Sequence, residues 1–275
     1  MLLAVPNVSE GRDPAKVERL AAAFAPAALL DVHSDPDHDR SVFTLAAERP
    51  AEALLNGARA ALELIDLREQ RGLHPRVGAL DVAPVVHLDD AARGAAVAEA
   101  LTAANLIAGE LDLPVFLYGA LADGRERAAI RKPGLAERIA SGEMTPDFGP
   151  LELHPTAGAV LVTARPPLIA FNVDLASDDV ALAQEIAAEI REPGLPGVRA
   201  IGLLLDDRGR AQVSTNIHDH ARTSPAAVVE AVAGRAEIAE AELVGLAPAA
   251  AFADFPENVP IRGLRTIEDA LASER

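Results

Sequence analysis

The chain has no cysteine among its 275 residues, which excludes disulfides, thiolate metal ligands and a cysteine nucleophile. Lysine is nearly missing: Lys16 and Lys132 are the two present, so arginine carries almost all the positive charge. No stretch approaches the ~20 consecutive apolar residues that span a bilayer. Nothing resembles a secretory signal, since the N-terminal apolar run extends only from Met1 to Val5. The expected compartment is the cytoplasm, with no membrane partner. Positive charge is scarce as well. A formal net charge of −17 argues against a nucleic-acid partner, which requires a basic face. It does not argue against a small anionic ligand, because a local cluster of cations reverses the field inside one cleft. Arginine suits bidentate capture of carboxylates, although base composition of a genome alone also produces such an excess.

Hydrophobic residues make up 50 % of the chain, enough for one large domain or two small ones. Residues 2 to 8 read as a strand. Asp13-Pro14 supplies a cap followed by proline at the first helical position, opening a helix to about Phe24. Ala28 to Val32 and Ser41 to Ala46 read as strands around an acidic turn, His33 to Arg40. Pro50 opens a helix to about Leu67, and Ala79 to Val86 is the next strand. The order β-α-β-β-α-β is that of the ferredoxin-like unit. A long Ala-rich helix, about Asp89 to Leu111, and a strand, Val115 to Gly119, follow. Residues 120 to 156 form a polar excursion with a short helix near Leu135 to Ala140. The second half repeats the order: strand Ile169 to Val173, a helix capped by Ser177 or Asp178, and a hairpin of Val198 to Leu205 with Gln212 to Ile217 across Asp206-Asp207-Arg208-Gly209. A helix opened by Ser224-Pro225 and a strand Ala241 to Gly245 complete it. The fold class is α+β, with two ferredoxin-like subdomains, residues 1–167 and 168–275, joined near Arg165-Pro166-Pro167.

The chemically richest segment is His74-Pro75-Arg76-Val77-Gly78-Ala79-Leu80-Asp81-Val82. It sets a group that titrates near neutral pH two residues from a permanent cation, on a bend fixed by Pro75, before an apolar run. His74 is a candidate acid–base group, or a structural histidine that caps a turn. Arg76 either holds a substrate carboxylate or pairs with Asp81 or another acid. Residues 31–40, with two imidazoles and several carboxylates, offer donors that suit Zn²⁺ or Mn²⁺. The same residues also suit a turn whose Asx side chains bond their own backbone. Arg12 follows Ser9-Glu10-Gly11 beside the first helix N-terminus, itself an anion site; it is a carboxylate clamp or a solvated loop residue. Asn172, Gln212 and Asn216 are polar positions in apolar strands, lining a cleft or hydrogen-bonded on a sheet face. His87, His218 and His220 read as surface residues.

His74 to Val82 resembles the active-site motif of the glutamate formimidoyltransferases. The resemblance extends to Val5-Pro6-Asn7-Val8-Ser9-Glu10-Gly11-Arg12, Asp39-Arg40-Ser41-Val42-Phe43-Thr44, Pro114 to Gly119, Pro146-Asp147-Phe148-Gly149-Pro150, Leu168 to Val173 and Ala211 to Asn216. These segments are in order from about residue 4 to 219. The resemblance implies two α/β subdomains with a folate tunnel between them. It also implies transfer of a formimidoyl group between N-formimidoylglutamate and tetrahydrofolate, the co-substrate, in histidine degradation. No metal is implied, and a homodimer is compatible with it. His74 is then the catalytic base, with Arg76 beside it. The chemistry suits one group with a pKa near the working pH: N5 of tetrahydrofolate loses a proton as it attacks, and the glutamate nitrogen gains one as it leaves.

On the same resemblance, Gly149-Pro150-Leu151-Glu152-Leu153-His154-Pro155-Thr156-Ala157-Gly158 covers the folate contact, so Gly149, Pro150, His154, Thr156 and Gly158 are candidate binding residues. Arg12, Asp39, Arg40 and Arg165 are candidate substrate or anion contacts. Three positions depart from the family pattern. Asp39 stands where Asn is common, His33 where the vertebrate members carry an acid, and Pro166 where a basic residue usually follows Arg165. The bifunctional animal proteins carry a cyclodeaminase domain as well; with the chain ending at Arg275, that activity is expected in a separate protein. Three other readings stay open: a formyl transfer between 5-formyltetrahydrofolate and glutamate on the same scaffold, a non-catalytic folate-binding protein, and a metallohydrolase built on the 31–40 loop.

Overall fold

Strand and helix signals alternate along the chain because short apolar runs are punctuated by capping residues, and the spatial structure follows that punctuation. A computed structural model describes residues 1–70, 75–205 and 208–274. The chain divides into two compact units, Met1–Pro166 and Pro167–Arg275. His74 and the turn residues Asp206 and Asp207 lie outside the described residues.

The first unit runs β1 (Leu2–Ala4), β2 (Asn7–Val8), α1 (Pro14–Ala23), β3 (Ala28–Asp35), β4 (Arg40–Ala47), α2 (Ala51–Leu64), β5 (Leu80–Val86), α3 (Arg93–Leu111), β6 (Val115–Leu117), α4 (Arg127–Ile130), α5 (Leu135–Ala140) and β7 (Val160–Arg165). β1 and β2 are two pieces of one strand interrupted at Val5-Pro6. Both pair with β4 (Leu3 opposite Ala46, Asn7 opposite Val42) and with β5 (Leu3 opposite Val86, Asn7 opposite Val82). With β3 outside β4, the antiparallel order β3–β4–β1/β2–β5 is the ferredoxin-like arrangement expected from the sequence. β7 and then β6 extend the sheet in parallel beyond β5. α1, α2 and α3 contribute to one core with Phe24, Phe43, Leu45, Leu54 and Ile107. The small residues Ala96, Ala100, Ala103 and Ala104 are fully buried on α3. A smaller cluster joins Phe116, Tyr118 and Leu161 to Ile130, Leu135 and Ile139 of α4 and α5.

Local signals worked where the determinant is local. The Asp13 carboxylate accepts from Ala15 and Lys16 N–H, and Pro14 opens α1. The acidic turn is shorter than the sequence suggests: β3 runs to Asp35 and β4 begins at Arg40, because Asp35 pairs with Arg40 and Ser34 with Ser41 across the hairpin. α2 opens at Ala51, where the buried Glu99 carboxylate of α3 accepts the Ala51 N–H at 3.1 Å. β7 was not anticipated, since a parallel strand that returns after a long excursion has no local signature.

The second unit runs β8 (Ile169–Leu175), α6 (Val180–Ile190), β9 (Val198–Leu205), β10 (Arg210–Ile217), α7 (Pro225–Ala233), β11 (Ile238–Val244), β12 (Ile261–Arg262) and α8 (Ile267–Ser273). The order β12–β11–β8–β10–β9 contains a second ferredoxin-like sheet. Asp179, not Ser177 or Asp178, caps α6 by accepting from Leu182 N–H. Ser224 caps α7 as expected. Asn172 donates to Glu242 and Gln212 to Asp174, so these strand-borne amides are bonded across the sheet. Among the described residues no helix is long and apolar enough to cross a membrane.

Two helical glycines give opposite expectations. A methyl at Gly57 in α2 would lie 2.0 Å from the buried Phe24 ring, whereas one at Gly109 in α3 would meet nothing within 4 Å. Gly109→Ala should stabilise by roughly 0.5–1 kcal/mol through helix propensity. Gly57→Ala should instead destabilise by about 1 kcal/mol or more, because overpacking outweighs that gain. Chemical denaturation of the two variants checks both signs.

Candidate active site

The segment that follows residue 74 is organised by one carboxylate. Asp81, at the start of β5 and 2 % exposed, accepts the N–H of Val77 at 2.7 Å and of Gly78 at 3.3 Å. Its other oxygen receives the Arg131 guanidinium from the segment after α4. The Val77–Gly78 backbone also lies against the segment 157–159 that precedes β7. Ala159 N–H donates to Val77 and Ala79 N–H donates to Ala157, each at 2.9 Å. That approach demands glycine on both sides: a methyl on Gly78 would lie 1.9 Å from the Ala159 carbonyl oxygen, and one on Gly158 2.0 Å from that of Val77.

Between these segments lies a cavity of about 610 Å³, lined by Arg76 and Val77, by Leu67 and Gln70, by Arg131 to Leu135, and by Leu153, His154, Pro155 and Gly158. Arg76 donates to the Gln70 side-chain oxygen at 2.8 Å, and Gln70 donates to the Ser9 carbonyl at 2.6 Å. Burial lowers the Arg76 pKa; Asp39 and Asp81 oppose this, and Arg12 adds to it. The Asp81 carboxylate therefore acts on Arg76 at a distance, and its direct cationic partner is Arg131. His154 pairs with Gly158 through both backbone groups. Its Nδ1 accepts from Thr156 N–H at 3.3 Å and Ala157 N–H at 3.1 Å, which places the ring proton on Nε2.

The other described sequence candidates are not among the lining residues of this cavity. Thr156 gives its carbonyl to Leu67 N–H at 2.8 Å. Gly149 and Pro150 are outside the lining, and Gly149 sits where a methyl would lie 2.5 Å from the Leu113 carbonyl oxygen. Asp39, at φ 47°, accepts from Gly11 N–H at 3.1 Å. Arg12 donates to the Pro36 carbonyl at 2.8 Å and lies 4.0 Å from Asp39. The expectation of free N–H groups beside Arg12 is corrected: Glu10 accepts from Arg12 and Asp13 N–H, both at 2.9 Å, and Asp13 takes the next two. In the 31–40 loop, Asp35 accepts from His38 N–H at 2.9 Å and lies 3.2 Å from the His38 Nδ1, the pattern of an Asx turn. Loss of water, then Arg131, pulls the Arg40 pKa down to about 10, with Asp81 opposing. Arg165 is also pulled down to about 10, mainly by loss of water. It belongs with Tyr118 and Arg127, whose guanidinium carbon lies 5.7 Å from the Tyr118 ring centre.

Sequence reasoning missed Gln70, Arg131 and Lys132 as part of one site, and saw Asp81 only as a partner for Arg76. The rarity of lysine was a usable signal for Lys132.

Comparison with known proteins settles the relationship. Residues 1–165 match the N-terminal subdomain of the formiminotransferase domain, and residues 170–258 match the formiminotransferase domain. The chain belongs to the formiminotransferase family. It is 38 % identical over 271 residues to a glutamate formimidoyltransferase of Streptococcus pyogenes serotype M1, covering 92 % of this chain and 91 % of that protein. A glutamate formimidoyltransferase of Thermoplasma acidophilum is 37 % identical over 272 residues, covering 91 % and 89 %. The formimidoyltransferase-cyclodeaminase of Sus scrofa is 37 % identical over 274 residues, 91 % of this chain and 50 % of that protein. Within this formiminotransferase fold, Arg76 and Val77 on one side and Leu153, His154, Pro155 and Gly158 on the other line one cavity.

Asp81→Asn keeps an acceptor for Val77 N–H but strips the charge facing Arg131. Leaving a buried cation unpaired costs about 3–5 kcal/mol, so the denaturation midpoint should fall sharply. Adding Arg131→Gln should recover part of the loss. An unchanged midpoint in Asp81→Asn would reject the organising role.

Proposed function

We propose that the chain is a glutamate formimidoyltransferase that passes the formimidoyl group of N-formimidoyl-L-glutamate to N5 of tetrahydrofolate, in the cytoplasm. The observation that carries this reading is a cavity with cationic walls, flanked on one side by Arg76 and Val77 and on the other by the 153–158 stretch, in a chain of this family. The substrates are anions of modest size, which suits a cationic cavity in an acidic protein.

In this reading His74 takes the N5 proton as nitrogen attacks the formimidoyl carbon. A tetrahedral intermediate forms with a new N5–C bond. The same imidazole then returns the proton to the glutamate nitrogen as the old C–N bond breaks, so the transfer is proton-neutral overall. Arg76, held by Gln70, offers its fork to a carboxylate of the glutamyl group. His154, with Nε2 as donor, and the 153–158 backbone address the folate. Asp39 and Arg12 brace the loop that borders Gly11. Arg40 and Arg165 add positive potential behind the contacts.

The test is turnover of purified protein with tetrahydrofolate and either N-formimidoylglutamate or N-formylglutamate, following the folate product by absorbance. Turnover with the first and little with the second is expected. His74→Ala should lose ~10²–10⁴-fold in rate while folding normally; retention of half the rate would reject the assignment. Arg76→Lys should raise KM for the glutamyl donor about tenfold or more at nearly constant kcat, because an ammonium cannot reproduce the bidentate fork.

A further inference from the structure

The cavity of the first unit is lined by three cationic side chains, Arg76, Arg131 and Lys132, and by no Asp or Glu among its described lining residues. In a chain of net charge −17 that is a local inversion of sign. The three cations differ in what already answers them. Arg131 is paired with the buried Asp81. Arg76 is bonded to neutral Gln70 and lies in the field of Asp39 and Asp81. The Lys132 ammonium has no ion pair among the described residues.

Its backbone is nonetheless held in place. Arg131 N–H donates to the Arg127 carbonyl at 2.9 Å, and the Arg131 side chain is fixed by Asp81. The Arg138 guanidinium then clasps the segment, donating to the carbonyls of Ala129 at 3.1 Å, Ile130 at 3.4 Å and Lys132 at 3.5 Å. Pro133 follows, and Gly134 turns at φ 73° into α5. A braced backbone that carries an ammonium with no ion pair, at the wall of a cavity without a carboxylate among its described lining residues, is organised for an anion. Arg76 stands on the 75–78 segment and Lys132 on the segment after α4, and Asp81 fastens these two segments to each other. The two cations therefore keep a fixed relation, which suits a ligand with two carboxylates better than one with a single charge.

We propose that Lys132 is a specificity-determining residue whose ammonium pairs with one carboxylate of a glutamyl group while Arg76 engages the other, with Arg131 as the positioning residue between them. The identity of the glutamyl ligand rests on the transferase reading. Two sources carry that chemistry, the N-formimidoylglutamate donor and the glutamate tail of tetrahydrofolate.

The test measures direct binding by calorimetry to the full chain and to Lys132→Ala, Lys132→Arg and Lys132→Glu, with melting curves to confirm folding. One arm compares N-formimidoyl-L-glutamate with its α- and γ-monoamides, and the other compares tetrahydrofolate with the α- and γ-monoamides of its glutamate, so that each comparison removes the charge of one carboxylate. The wild-type chain should prefer the glutamyl ligand over each monoamide about tenfold or more in at least one arm, the worth of a charged hydrogen bond. Lys132→Ala should erase that preference over one of the two monoamides, Lys132→Arg should keep most of it, and Lys132→Glu should reverse it. The arm in which the preference disappears identifies the source. A preference over both monoamides that survives in folded Lys132→Ala, or a wild-type chain without preference in either arm, overturns the proposal. Turnover is read in parallel. A binding pattern as expected without turnover would reject the transferase reading and keep Lys132 as the anion contact. Turnover with the preference intact in Lys132→Ala would do the reverse.

Discussion

The site depends on a carboxylate kept out of water. Asp81 is 2 % exposed, and a lone ion at that depth would cost several kcal/mol. Its burial is sustained by two backbone N–H groups and a guanidinium, all charge-assisted hydrogen bonds. Because these donors come from two distant stretches of chain, satisfying the ion also registers the stretches against each other. Val77 and Gly78 cannot shift without stranding the carboxylate, and neither can Arg131. The motif segment and the segment after α4 are thus parts of one electrostatic unit, although some fifty residues separate them.

Around that pair the first unit gathers arginines. Arg40 lies in the fields of Arg131, Arg127, Asp81 and Asp35, and Arg165 in those of Arg127 and Tyr118. Loss of water is the main cause that lowers the pKa of Arg40 and Arg165, and the neighbouring guanidinium groups lower it further. The choice of residue matters here. A guanidinium pulled down to about 10 is still protonated at neutral pH, whereas an ammonium starts from a lower reference value and loses its charge sooner. Arginine can therefore hold a positive potential in a desolvated cluster. The two lysines of the chain stand elsewhere, Lys16 against Glu10 and the exposed Lys132 at the cavity wall.

What could be read from the sequence was whatever a few neighbouring residues determine. The caps at Asp13 and Ser224, the hairpin strand Val198–Leu205 and the short helix Leu135–Ala140 all follow from adjacent residues. The doubled β-α-β-β-α-β order was legible because each strand and helix announces itself. Determinants distant in sequence were not. Ala51 N–H is capped by Glu99 from α3, and β7 finds its place only beside β5. The same division holds in the site. Arg76 and His154 were found through their motifs and do line the cavity, while Asp81, Gln70 and Lys132 take their meaning from residues far along the chain. Beside Arg12 the N–H groups are already answered, because Asp13 caps the helix and Glu10, two residues before Arg12, accepts from Arg12 and Asp13. That local contact was open to a closer reading of Ser9-Glu10-Gly11.

The glycines of the two motifs carry a further lesson about what a family resemblance records. Gly78 and Gly158 face each other in an antiparallel bridge, and each sits where a methyl would strike the opposing carbonyl at about 2 Å. Their identity is set by the other strand rather than by any ligand. The ladder they permit includes Ala159 to Val77 and Ala79 to Ala157, with Ser9 Oγ donating to the Gly78 carbonyl at 2.8 Å and Leu67 N–H to that of Thr156. Four segments are laced together by it: the opening loop, the end of α2's extension, the His-Pro-Arg motif and the 154–159 stretch. Enlarging either glycine would part the two walls of the cavity before it altered any polar group within it. Part of what makes these motifs recognisable is therefore the packing that brings the chemical groups together, and the residues that do the chemistry could not be placed without the residues that merely let the backbones touch.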